Sequence, residues 1–150
     1  MCVPLVFFCM ESIRIEKTQK APLFILKDGY IRLAGRSIPQ NARQLYNICL
    51  NWIDQYIKAP ARETKVDLYF EYIDTSSIRC VVDILTKLSR ISDNSNKRIE
   101  INWYYEKDDE DSRDLGCYIR QHLKVPFNII DIEEGGDIPT PIPSSTNSVS

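Results

Sequence analysis

The sequence predicts a single α/β domain, with element order β-β-α-β-α-β-α-β and a mixed, mostly parallel sheet opened by an antiparallel hairpin. Three observations predict it. Asp28-Gly29 separates two strand-like runs, which is the strongest short hairpin signal. Later segments alternate apolar and polar residues with the period of a strand, and others repeat apolar residues at the spacing of a helix. Strands and helices then take turns, which implies right-handed crossovers between parallel strands.

In PLFILKDGYIRLAGRSI the Asp28-Gly29 dipeptide suits a turn whose two central residues both take positive φ. Pro39 ends the second strand. NARQLYNICLNWIDQYIK starts on Asn41, a good N-cap. Leu45, Ile48, Cys49, Trp52, Ile53, Tyr56 and Ile57 form its apolar face, and Pro60 stops the helix. KVDLYFEYI alternates, with Val66, Leu68, Phe70 and Tyr72 on one side and Asp67, Tyr69 and Glu71 on the other.

Ile78, Val81, Val82, Leu85 and Leu88 line the second helix, and SDNSNK is a loop by composition. RIEINWYYE alternates again, placing Ile99, Ile101, Trp103 and Tyr105 together. DDEDSRDLGCYIRQHLK is the third helix, its first turn rich in the carboxylates that a positive helix end favours. PFNIIDI is the last strand. The domain is expected over residues 11–133.

Residues 134–150 are rich in Pro, Ser and Gly with few apolar anchors, so a disordered tail is expected there. The apolar run in residues 1–10 is too short to span a bilayer and lacks the basic region of a signal peptide. It reads as an N-terminal extension, Met10 opening a sequence that makes a complete domain by itself.

At 150 residues the chain is about one domain long, and its 43% hydrophobic and 27% charged content is that of a globular protein. A net charge of −2 argues against general nucleic-acid binding, which wants a basic surface. Cys2, Cys9, Cys49, Cys80 and Cys117 contain no C-x-x-C pair, so neither a zinc ribbon nor a redox motif is available. Cys49, Cys80 and Cys117 fall on expected helices among apolar neighbours. They read as small core residues of a reducing, cytoplasmic protein, and no membrane partner is expected.

Catalytic chemistry lacks parts. The one histidine, His122, lies on a helical stretch near lysine and reads as a surface residue. No H-E-x-x-H, G-x-S-x-G, P-loop or G-x-G-x-x-G occurs, and no cofactor is implied. Asp108 to Asp111 diverge around a helix start and do not converge as metal ligands must. Asp74 lies where a receiver domain keeps its phospho-acceptor. The acidic pair and the lysine of a receiver are missing, however: the first strand runs into Lys27-Asp28-Gly29 and the last into Glu133-Glu134.

Thr75, Ser76 and Ser77 crowd three hydroxyls where a strand stops and a helix begins. Thr75 or Asp74 could cap that helix, contributing about 1 kcal/mol, and one oxygen suffices. A nucleophile would need a base, and none is nearby. A helix N-terminus also accepts a phosphate without unfolding. From the residues alone, capping stands ahead of phosphorylation.

GRSIPQNA (Gly35–Ala42), EYIDTSSIRCVVDIL (Glu71–Leu85), INWYYEKDDEDSRDLG (Ile101–Gly116) and VPFNII (Val125–Ile130) resemble the SiaC family of bacterial regulatory phosphoproteins. The resemblance covers about Ile13 to Ile132. It implies a STAS-like fold, similar to anti-sigma-factor antagonists, and no enzymatic activity. The family's phosphorylated threonine, in an Asn-Thr-Ser-Ser motif, falls on Thr75. The asparagine is Asp74 here, which puts a negative charge beside the acceptor.

The resemblance further implies three partners: a dedicated serine/threonine kinase, a PP2C-type phosphatase, and a diguanylate cyclase activated by the unphosphorylated form. The partner surface is expected around the start of the second helix, from Asp74, Ser76, Ser77, Arg79 and Asp83. The alternative is an anti-sigma-antagonist-like regulator of a sigma-factor pathway.

Overall fold

A computed structural model describes residues 11–136, 138 and 139. The expected extension at residues 1–10, and residues 137 and 140–150 of the expected tail, lie outside the described residues. The elements are β1 (Ile13–Ile15), β2 (Leu23–Lys27), β3 (Tyr30–Ser37), α1 (Pro39–Tyr56), β4 (Glu63–Ile73), α2 (Thr75–Ser89), β5 (Arg98–Glu106), α3 (Glu110–Gln121) and β6 (Phe127–Ile132). A 3-10 turn at Arg90–Asp93 follows α2.

The expected order holds, with one strand added at the front. The three residues of β1 pair antiparallel with β2, Ile13 opposite Leu26 and Ile15 opposite Phe24. So short a strand has no periodicity of its own to read and exists through that pairing.

The six strands lie in chain order across one sheet, antiparallel from β1 to β3 and parallel from β3 to β6. By the right-handed rule for crossovers between parallel neighbours, all three helices fall on one face, and residues of α1, α2 and α3 do share one core. Phe24, Leu26, Ile31, Leu33, Val66, Leu68, Phe70, Ile101 and Trp103 belong to the buried core between that face and the helices. Each large side chain buried in this way contributes about 1.5–3 kcal/mol. Lys87 of α2 pairs with Asp54 of α1 at 2.6 Å. Gly116 lets α3 lie directly on Trp103: a Cβ there would stand 2.5 Å from the indole.

Three expectations change in detail. Gly29 has φ +87°, but no residue other than glycine has positive φ among the described residues, so Asp28 does not adopt the mirror-image turn. Helix α1 starts at Pro39 with Ile38 as N-cap, two residues before Asn41, because proline's fixed φ suits the first helical position. Its apolar face is rotated as well. Tyr46 is fully buried, its ring edge-on to Phe24 with centroids 5.4 Å apart, whereas Ile48 is 42% exposed.

The Tyr56 hydroxyl ties the end of α1 to two loops. It accepts from the Gly29 and Ala61 amides at 3.0 and 3.2 Å and bonds the Thr64 hydroxyl at 2.7 Å. This holds the hairpin turn and the start of β4 together at the end of the sheet remote from Thr75.

The second face of the sheet is polar at its centre. Asp67, only 2% exposed, accepts from the Tyr30 hydroxyl at 2.8 Å and from the Asn102 amide at 3.0 Å. Burial, with Asp67 alongside, pushes the Tyr30 phenol well above its ordinary range.

The chain after β6 crosses this face. Gly135 donates to Glu106 at 3.2 Å, Arg32 donates to the Pro139 carbonyl at 3.4 Å, and Ile138 is 4% exposed. Of the described residues beyond Glu133, Ile138 is buried while Glu134, Gly135 and Pro139 are exposed. Ile138 is the apolar anchor that composition understated.

Candidate functional site

Strands β3 and β4 end side by side, and the chain turns from each into a helix: β3 into α1, β4 into α2. The hydroxyl cluster sits at this junction, and its members do different work. Asp74 is the N-cap of α2, its carboxylate accepting from the Ser76 and Ser77 amides, each at 3.2 Å. The Ser76 hydroxyl donates to the same carboxylate at 2.8 Å. Burial alone would raise the Asp74 pKa. The hydrogen bonds from Ser77 and Ser76 outweigh it and hold the carboxyl below its ordinary value.

Ser77 points inward. It is buried, and its Oγ accepts from the Ser37 hydroxyl at 2.7 Å. Ser37 Oγ lies 2.8 Å from the Tyr46 hydroxyl, so the chain of contacts runs from β3 to both helices. The Asp74 amide donates to the Ser37 carbonyl at 3.1 Å, closing the junction. A partner on the surface has no direct access to the Ser77 side chain, which corrects its expected place in the contact surface.

Thr75 is the first residue of α2 and is exposed. Asp74 does the capping, so the Thr75 hydroxyl is free of that duty. The expected welcome for a phosphate at this helix start is also reduced, because Asp74 already takes the Ser76 and Ser77 amides. Ser76 is exposed beside Thr75. Arg79 and Asp83 are exposed on the following turns of α2 but form no ion pair with each other. Cys80, half-buried, lies within the electrostatic reach of Arg43, Asp83, Asp74 and Arg79, and its thiol is pushed up, mainly by burial.

Two neighbours escaped the sequence reading. Where β3 passes from Gly35 to Arg36, its partner in β4 jumps from Phe70 to Tyr72, leaving Glu71 as an extra residue. That β-bulge inverts the alternation of β4. Tyr72, expected on the core face, is 49% exposed, and Ile73 packs against the core in its place. The Arg36 guanidinium lies over the Tyr72 ring, 5.7 Å from its centre. The signal available in the sequence was Gly35 inside a strand, which marks bulges.

His122 is exposed at the far end of α3, its Nδ1 2.9 Å from the Tyr118 carbonyl. Among the described residues no group of three or more His, Cys, Asp or Glu is placed to hold a metal ion. Asp109 caps α3 by accepting from the Ser112 amide at 3.0 Å. A cleft of about 680 Å³ opens at the other end of the sheet, around Gly29, Lys65, Arg98 and Asn128, away from Thr75. Among the described residues no helix is long and apolar enough to cross a membrane.

Comparison with known proteins points one way. The chain is 26% identical over 122 residues to an uncharacterized protein of Pseudomonas aeruginosa strain UCBPP-PA14, covering 80% of this chain and 96% of the relative. It is similar to a chain in the crystal structure of the diguanylate cyclase SiaD in complex with its activator SiaC from Pseudomonas aeruginosa. The TM-score there is 0.72 at 26% identity, covering 80% of this chain and 99% of that one. SiaC of Pseudomonas aeruginosa alone gives a TM-score of 0.72 at 25% identity, covering 82% and 100% of the two chains. Residues 15–132 match the SiaC family regulatory phosphoproteins, and the chain belongs to that family.

Proposed function

We propose that this chain is a non-enzymatic switch protein of the cytoplasm, reversibly phosphorylated on Thr75. Unphosphorylated, it binds and activates an effector, a diguanylate cyclase. A dedicated serine/threonine kinase adds the phosphate and a PP2C-type phosphatase removes it. The observation that carries this reading is the division of labour at the start of α2. Asp74 caps and Ser77 packs, so Thr75 presents an exposed hydroxyl that is free of the capping role.

A phosphate there adds roughly −1.5 to −2 charges at neutral pH and leaves the cap and the buried hydroxyl bonds in place. The change therefore falls on recognition. A dianion brought into a desolvated contact costs several kcal/mol unless the partner supplies a cation, and Asp74 beside it adds to the repulsion of an acidic partner. The SiaC of the cyclase complex supports the choice of effector, as an activator of the same fold. The test is intact mass after incubation with the cognate kinase and ATP: one phosphate on the wild type, none on Thr75→Ala. Equal incorporation into both would refute the assignment.

A further inference from the structure

We propose that Arg36 and Tyr72 form the anchor by which the effector protein is held beside Thr75. The inference rests on the reading above and names the contact that the phosphate would disturb. Its occupant is a protein surface that offers a carboxylate to the Arg36 guanidinium and an apolar side chain to the exposed part of the Tyr72 ring.

The bulge is the first argument. An unbroken alternation would have put Tyr72 in the core with Val66, Leu68 and Phe70. The extra Glu71 turns it out instead, two residues before the cap of α2. Bulges recur where a strand must re-aim a side chain next to a functional site. Only three large hydrophobic side chains are counted as exposed among the described residues, Ile48, Tyr72 and Tyr118, and Tyr72 alone adjoins the hydroxyl cluster.

Order is the second argument. Arg36 lies over the Tyr72 ring, and its Nε donates to the Gln19 carbonyl at 3.3 Å. The pair is held in one arrangement before any partner arrives, so binding orders little that is not already ordered. Tyrosine and arginine are also the residue types that concentrate binding energy in protein interfaces.

Charge is the third. Arg36 has no carboxylate within ion-pair distance among the described residues, although its partner across the strands, Tyr72, directly follows Glu71. Its fork is open to a planar acceptor, and a carboxylate is the commonest one a protein surface offers. The anchor is continuous with Thr75 through the end of β4, so an effector seated on it covers both.

The experiment titrates the purified diguanylate cyclase of the source organism with unphosphorylated protein by calorimetry. Tyr72→Ala and Arg36→Gln should each weaken binding about tenfold or more. Tyr72→Phe should bind as the wild type does, since the ring is kept. Arg36→Gln should also flatten the salt dependence of the affinity, which Tyr72→Ala should leave unchanged. Both altered side chains are on the surface, and thermal melts confirm folding. If the wild type binds and both variants bind equally well, the anchor is overturned while the switch at Thr75 stands. If the unphosphorylated wild type binds no cyclase, the functional reading is overturned and this inference with it.

Discussion

The Ser37 hydroxyl donates to the Oγ of Ser77 at 2.7 Å, joining the last residue of β3 to the first turn of α2 across 40 residues of sequence. With the Asp74 amide on the Ser37 carbonyl, it fixes the surface that carries Thr75. Two hydroxyls of one cluster, Ser77 and Thr75, thus have opposite uses, one structural and one presented to solvent.

That opposition is measurable. Ser77→Ala removes the acceptor of a buried hydroxyl and should cost about 1 kcal/mol or somewhat more in urea denaturation. Thr75→Ala removes an exposed side chain with no capping role and should change stability by no more than about 0.5 kcal/mol. A larger loss from Thr75→Ala than from Ser77→Ala would reverse the assignment.

Asp74 should make stability depend on pH in acid. Its pKa is lower in the folded chain than in the unfolded one, where it titrates at about 3.9. The unfolded state therefore binds the proton first. The stabilisation is present above that unfolded value and is lost as pH falls through the lower folded value. Asparagine keeps a capping oxygen without the charge, so the wild type should melt above Asp74→Asn at neutral pH, with the gap closing in acid. A gap that stays constant across that range would show the charge to be irrelevant.

Much of this architecture was legible because its signals are local. The Asp28-Gly29 turn, the alternation from Val66 to Phe70 and the helical spacing of Val81, Leu85 and Leu88 need no partner to be read. What escaped depends on partners distant in sequence. The alternation of β4 fails at Glu71 because of how β3 runs through Gly35. Tyr46 displaces Ile48 from the core face because Phe24 and Ser37 receive it. The proposal of Thr75 as the phosphorylated residue rests on resemblance. The burial of Ser77 followed only from Ser37 and Tyr46, and Ile138 needed the second face of the sheet to show itself as an anchor.

Gly116 should tolerate no side chain. Gly116→Ala drives a methyl to 2.5 Å from an indole whose Nε1 is fixed by a 2.9 Å bond to the Ser112 carbonyl. Helix α3 must shift or the ring must move, at a cost of about 1–3 kcal/mol. A lowered melting temperature with a changed tryptophan emission is expected; an unchanged emission and melt would mean that α3 sits farther from the sheet.

The segment after β6 should contribute to stability. Ile138→Asp places a charge on a side chain that is 4% exposed and should cost about 2 kcal/mol or more. Stability equal to the wild type in guanidinium denaturation would remove this segment from the packed domain.

The central claim is that phosphate on Thr75 breaks effector binding while the domain stays folded. Titrating the diguanylate cyclase with unmodified and with stoichiometrically phosphorylated protein tests it most directly, with melting curves of both forms alongside. A penalty of several kcal/mol at about 1.4 kcal/mol per decade predicts that affinity falls by at least about a hundredfold, with little change in melting temperature. Equal affinity of the two forms for the cyclase would contradict the account.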